Sequence, residues 1–155
     1  MVQRNELLHT NSAGRSIIKA AEGKRLTAYL CPAGKWTIGW GSTSGVKRGM
    51  VITEHEAELR FAADVENAES DVCALVTVPL NENQLSALVS FVFNFGAEKL
   101  RTSTLLKKLN AGDYAGAAKE FPRWKYSYIP KLKKSVPLDG LVKRRKAEME
   151  LFLSE

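Results

Sequence analysis

Histidine and cysteine are scarce in this sequence, with two of each among 155 residues. Two thiols cannot build the multi-bridge framework of a small secreted domain. His9 and His55 lie far apart, and neither has a closely spaced partner of the kind that ligates zinc. No metal and no cofactor is therefore expected. Long apolar runs are also missing: none approaches the about 18 residues of a membrane-spanning helix. The opening residues, MVQRNELLHTNSAGRS, are polar and hold no apolar h-region. The expectation is a chain with no signal peptide and no transmembrane segment. Internal repeats and low-complexity stretches are absent as well.

What is present describes a globular chain. Apolar residues make up 45%, enough for a 155-residue chain to bury a real core as a single domain. The formal net charge is +6. Its excess is concentrated: Lys119 to Lys146 holds ten Lys or Arg against two acids, Glu120 and Asp139. Such a region suits a polyanionic partner such as a nucleic acid, an anionic membrane or an anionic wall, or else forms a solvated basic face.

Residues 12–22 read as a helix, with Ser12 able to cap it and Gly23 ending it. Residues 26–43 are broken by Pro32, Gly34, Gly39 and Gly41. Trp36, Ile38 and Trp40 alternate with Thr37, Gly39 and Gly41, which predicts a β-hairpin or small three-stranded sheet with PAGK as its turn. If the large side chains face inward, Thr37 faces any cleft. Thr53 and Glu56 form a capping box, and apolar spacing then predicts a helix over 53–76. Asn81 and Gln84 repeat that signal before a helix that Gly96 ends. Short helices are expected near 103–110 and 113–121. The stretch 122–138, with Pro122, Pro130 and Pro137, reads as loop. Asp139 can cap a last helix, 140–153, that packs through Leu141, Met149 and Phe152.

Chemistry concentrates between Glu22 and Thr43, in EGKRLTAYLCPAGKWTIGWGST. Glu22, at a helix end, can supply an acid. Cys31 and Thr37 follow in a hairpin that can fold back beside it. A thiolate at Cys31 can act as nucleophile or base, and a threonine hydroxyl can hold a water. Glycosidic hydrolysis needs an acid for the leaving oxygen and a group that activates water or attacks the anomeric carbon. The second position usually carries a carboxylate; here it is a thiol. Cys73, in DVCALV, reads as a small buried hydrophobe. Trp36, Ile38 and Trp40 suit a small sheet core better than a sugar-stacking platform.

The same segment resembles the catalytic segment of the phage-type lysozymes, glycoside hydrolase family 24, which include the T4 lysozyme-like endolysins. Their signature is a glutamate, eight residues, Asp or Cys, five residues and a threonine, matched by Glu22, Cys31 and Thr37. The flanking EG, AY, PAG and TIGWG fit. So do ITEHEAELRFAADV at 52–65, FVFNFG at 91–96, STLLKKLNAGDYAGAAKEFPRW at 103–124 and GLVKRRKAEMELFL at 140–153. The resemblance covers roughly residues 12–153.

It implies an α+β, lysozyme-like fold. A small β-sheet lobe (about 12–52) would be joined by a long helix (about 53–76) to a helical C-terminal lobe (about 77–155). It also implies cleavage of the β-1,4 bond between N-acetylmuramic acid and N-acetylglucosamine in peptidoglycan. Glu22 would be the acid, Cys31 the aspartate-equivalent position, Thr37 the water-orienting residue and Asn94 a sugar contact. Arg144 or Arg145 would pair with Glu22. A monomer is expected, held in the host cytoplasm until a holin releases it to the wall.

Two other readings stand beside this one. A lytic transglycosylase also uses a glutamate but leaves 1,6-anhydro ends. A non-catalytic basic protein would act on wall or outer membrane through the 119–146 charge. Trp124, Tyr126 and Tyr128 among Arg123, Lys125 and Lys131 could stack on single-stranded nucleic acid, but no fold motif accompanies them, and no nucleic-acid partner is expected.

Overall fold

A computed structural model describes residues 5–155. Helix α1 (Ser12–Glu22) begins one residue earlier in its cap than Ser12 suggested. Asn11 is the cap, its side-chain oxygen accepting from the Gly14 amide at 3.0 Å. The reason is tertiary. The Asn11 amide donates to Ser86 Oγ and its side-chain nitrogen to Asn83 Oδ1, so this one residue caps α1 and fastens it to the central helix. Gly14 makes the contact close, since a Cβ there would sit 2.7 Å from that of Ser86.

After Gly23, β1 (Arg25–Leu30) pairs antiparallel with β2 (Trp36–Gly39), with Tyr29 opposite Thr37 and Leu30 opposite Trp36. The ladder is irregular between Arg25 and Tyr29. Cys31 and Lys35 close the turn through a 2.9 Å backbone bond. A third segment approaches β1 without becoming a strand: Ala28 donates to Met50, and Ile52 donates to Leu26. The sheet is thus a two-stranded hairpin plus isolated bridges.

Helix α2 (Glu54–Leu75) runs where the capping box placed it, with Thr53 Oγ1 accepting from the Glu56 amide. Its inward face is Ala57, Phe61, Val65, Ala68 and Val72, spaced by three and four as one helical stripe requires. Helix α3 (Glu82–Phe95) has both bonds of its capping box and is buried continuously from Leu85 to Val92. It is the axis of the larger lobe. Short helices α4 (Ala97–Arg101), α5 (Thr104–Asn110) and α6 (Tyr114–Glu120) follow. Phe91 of α3 meets Phe95, Phe121 and Trp124, and Phe121 meets Phe152. Although α1 precedes the sheet in sequence, it packs on α3 and on the last helix, α7 (Asp139–Leu153).

Three expectations fail in the C-terminal part. The stretch 122–138 is not loop alone: β3 (Tyr126–Ile129) and β4 (Lys134–Pro137) form a second antiparallel hairpin. Its prolines sit at the turn and at the last register position, where they cost little of the ladder. Asp139 does not cap α7. Leu138 holds the cap position, with no side-chain bond. The buried side of α7 is also less apolar than expected. Leu151 and Phe152 are buried, but so are Arg144, Arg145 and Glu148. The result is a small antiparallel sheet lobe joined to a larger helical lobe.

Candidate active site

Glu22 is the last residue of α1, where helix end and chain turn coincide. Its side chain is 21% exposed. Oε1 accepts from Arg144 Nη1 at 2.9 Å, a contact across 122 positions of sequence. Oε2 lies against Gly41, where an added Cβ would come within 2.6 Å of it. Gly41 also has φ +78°, in the left-handed region that favours glycine. The carboxylate is therefore gripped between a guanidinium from α7 and a bare stretch of backbone just after β2.

The two candidate arginines divide. Arg144 meets Glu22; Arg145 points elsewhere, with Nη1 donating to Asn94 Oδ1 at 2.9 Å. Successive helix positions differ by about 100°, which separates them. Arg144 is also fixed to α3, through Nε to Ser90 Oγ and Nη2 to the Ser90 carbonyl. Asn94 thus reaches the site with its orientation already set. It lines, with Glu22 and Arg144, a cavity of about 710 Å³ between α1 and α7. A second cavity of about 220 Å³ lies on the α2 side, lined by Gly41, Thr43, Asp64, Asp71 and Phe93.

Cys31 begins the hairpin turn and is partly exposed. Its thiol is shifted below the ordinary value, first by the Lys35 amide, with Ala33, Thr37 and Gly34 adding to it and partial burial opposing. The tight turn thus aims donors at the sulfur and favours thiolate. Cys73 is shifted the other way, chiefly by burial, then by Glu6 and Glu69. Thr37 is buried beside Cys31, and its one hydroxyl proton has two acceptors in reach, the Lys35 carbonyl at 3.0 Å and the Cys31 sulfur. That hydroxyl has one proton and two lone pairs, so it can still accept from a water. Neither Cys31 nor Thr37 lines either cavity. Ile38 and Trp40 are buried as expected, with Trp40 edge-on to Phe61, while Trp36 stays half-exposed.

Sequence reasoning missed several residues here. Tyr29 stands opposite Thr37 in the hairpin. Its phenol is held protonated to higher pH by burial, then by the negative charge of Glu22, with Arg25 opposing and Cys31 adding. One hydroxyl therefore senses both the candidate acid and the thiol. Asp64 of α2 is half-buried, and burial raises it against the pull of Ser42 and Arg60. The signal for Gly41 was its place after a strand in Gly-Trp-Gly. For the buried ions it was the R-R-x-x-E spacing on a helix.

The chain matches the family model described as phage lysozyme over residues 19–148. The chain belongs to the phage lysozyme family. It is 45% identical over 147 residues to an endolysin of Acyrthosiphon pisum secondary endosymbiont phage 1, covering 95% of this chain and 99% of that one. It is 37% identical to an endolysin of Salmonella phage P22, covering 96% and 100%. Among solved structures, the muramidase domain of SpmX from Asticaccaulis excentricus superposes with a TM-score of 0.87 at 34% identity, covering 96% and 99%. Family membership carries lytic degradation of peptidoglycan as its general function. Among the described residues, no helix is long and apolar enough to cross a membrane.

Proposed function

We propose that this phage lysozyme family member is an endolysin that hydrolyses the β-1,4 bond between N-acetylmuramic acid and N-acetylglucosamine. The observation that carries this reading is the grip on Glu22: Arg144 on one oxygen and Gly41 against the other. A carboxylic acid fixed at the mouth of a cavity is positioned to protonate a leaving glycosidic oxygen. Asn94, oriented by Arg145, presents an amide to the sugar. On the other face, the Cys31 thiolate and the Thr37 hydroxyl serve the incoming water. A thiolate that takes a proton from water inverts the anomeric centre; one that attacks it retains the configuration. The anomer of the first-formed product separates these routes.

The substrate is an anionic polymer, and the β3–β4 hairpin supplies cations to meet it. Lys131, Lys133 and Lys134 cluster at its exposed end beside Leu132, and Tyr126 and Tyr128 are exposed along β3. No acid lies between Glu120 and Asp139. Release to the wall would depend on a holin.

A second reading has one observation in its favour. Residues 24–43 contain no carboxylate, and a lytic transglycosylase needs only one. Mass spectrometry of products from purified peptidoglycan separates the two. Reducing N-acetylmuramic acid ends are expected. Anhydro ends would assign the transglycosylase reaction, and no soluble muropeptide at all would sink both.

A further inference from the structure

We infer that Glu148, a buried carboxylate that lines neither cavity, is the positioning residue of this site: it holds Arg144 onto Glu22 and Arg145 onto Asn94 at once. The inference rests on the muramidase reading above. Glu148 is fully buried on α7, one helical turn beyond both arginines. The i, i+3 and i, i+4 spacings put both guanidinium groups over one carboxylate. Its Oε2 accepts from Arg145 Nη2 at 2.8 Å and from Ser90 Oγ at 2.5 Å. The same oxygen lies 3.5 Å from Arg144 Nε. Oε1 stands 2.6 Å from Arg145 Nε, close enough for an ion pair but not aligned as a hydrogen bond.

Ser90 completes the arrangement. Its hydroxyl donates to Glu148 and accepts from Arg144 Nε, and its carbonyl accepts from Arg144 Nη2. The guanidinium of Arg144 is thus committed on two of its three nitrogens to Ser90, which leaves Nη1 for Glu22. Arg145 is held over the rings of Phe91 and Phe95 and sends Nη1 to Asn94. One carboxylate sits at the root of both branches, one ending at the candidate acid and the other at the candidate sugar contact.

Charge makes the arrangement more than a brace. Two buried arginines are balanced by two glutamates, Glu148 and Glu22. The other groups near Glu22 are Tyr29 from the hairpin, Arg145, which feels its charge, and Lys143 and Asn94 along the shared cavity. Burial alone would favour a protonated Glu148, and the two guanidinium groups oppose this. Two donors, Arg145 Nη2 and Ser90 Oγ, and the second cation Arg144 around it assign the carboxylate form. Without that charge, Glu22 would be left as the sole counter-ion to two cations. Its carboxylate form, which has no proton to give, would then be favoured.

The test compares pH profiles of kcat/KM on purified peptidoglycan for wild type, Glu148→Gln, and the double variant Arg145→Met with Glu148→Met. In Glu148→Gln, the pH at which activity is lost on the alkaline side should fall by about one unit, with kcat at neutral pH down about tenfold. The double variant removes one cation and one anion together. Its alkaline limb should return to the wild-type position, while KM rises several-fold because Asn94 has lost its holder. A purely structural role would lower the yield of folded enzyme and leave both the limb and KM in place. Should Glu148→Gln fail to fold, the charge-neutral double variant decides alone: a raised KM with an unmoved limb supports the inference, and an unchanged KM overturns it. An active wild type with an unmoved Glu148→Gln limb overturns this inference only; an inactive wild type overturns the muramidase reading with it.

Discussion

On its helical side, Glu22 meets a buried scaffold in which two guanidinium groups, a hydroxyl and a second carboxylate are partnered. On its hairpin side it lies against a glycine and its charge is felt by a phenol, and the same hairpin carries a partly exposed thiol. The first side is over-determined: Arg144 has three separate hydrogen-bond acceptors, on α1 and α3. The second side has backbone bonds that shape the turn, with Thr37 buried and Cys31 partly exposed. A general acid gains from fixed placement. A group that handles water gains from access to it. The contrast assigns rigidity to the helical lobe and solvent contact to the Cys31 turn of the hairpin.

Changes on the helical side should therefore cost more than changes on the hairpin side. The largest effect is expected for Glu22→Gln, a loss of at least about 10³-fold in reducing-end release, near the top of the range for general acids. Arg144→Met comes next. It strands the Glu22 carboxylate and part of the Ser90–Glu148 network, so urea denaturation should show a loss of about 3–5 kcal/mol together with a fall in turnover. Gly41→Ala, the hairpin-side change that touches the acid itself, should follow, because its methyl group meets the Glu22 carboxylate and its φ is strained. A cost of about 1–3 kcal/mol and a drop in kcat are expected. Equal activity in this variant would show that Glu22 is free to move away from its grip.

On the hairpin side, Cys31→Ala should lower turnover and Cys31→Asp should restore much of it. Full activity in the alanine variant would make the thiol dispensable. The thiolate is the reactive form, and the turn amides lower the Cys31 thiol while burial raises that of Cys73. Alkylation of Cys31 should accordingly reach half its maximal rate at a lower pH than alkylation of Cys73, as peptide mapping would show. The smallest effect belongs to the basic hairpin. Charge reversal at Lys131, Lys133 and Lys134 should weaken wall binding at low salt and change little at high salt, where exposed charges are screened.

The signals visible in sequence were those carried by short range. Thr53 and Asn81 announced their helices through partners three residues away, and Glu22, Cys31 and Thr37 stood within sixteen positions of one another. What sequence hid was carried by long range. Asn11 caps α1 because α3 anchors it, and that anchor lies about 75 residues on. Arg144 reaches Glu22 across 122 positions, and neighbouring arginines on a helix look alike until a partner selects one. The β3–β4 hairpin was hidden by its prolines, although Y-S-Y-I already alternated with strand period. Glu148 was hidden by its type, since a buried carboxylate on a packing face is legible only once its two cations and Ser90 surround it.

The most direct test of the account is the release of reducing ends from purified peptidoglycan by folded Glu22→Gln enzyme beside wild type, with circular dichroism confirming the fold of both. The account predicts steady release by wild type and none above background by the variant across the working pH range. Release by Glu22→Gln at a rate comparable to wild type would contradict it.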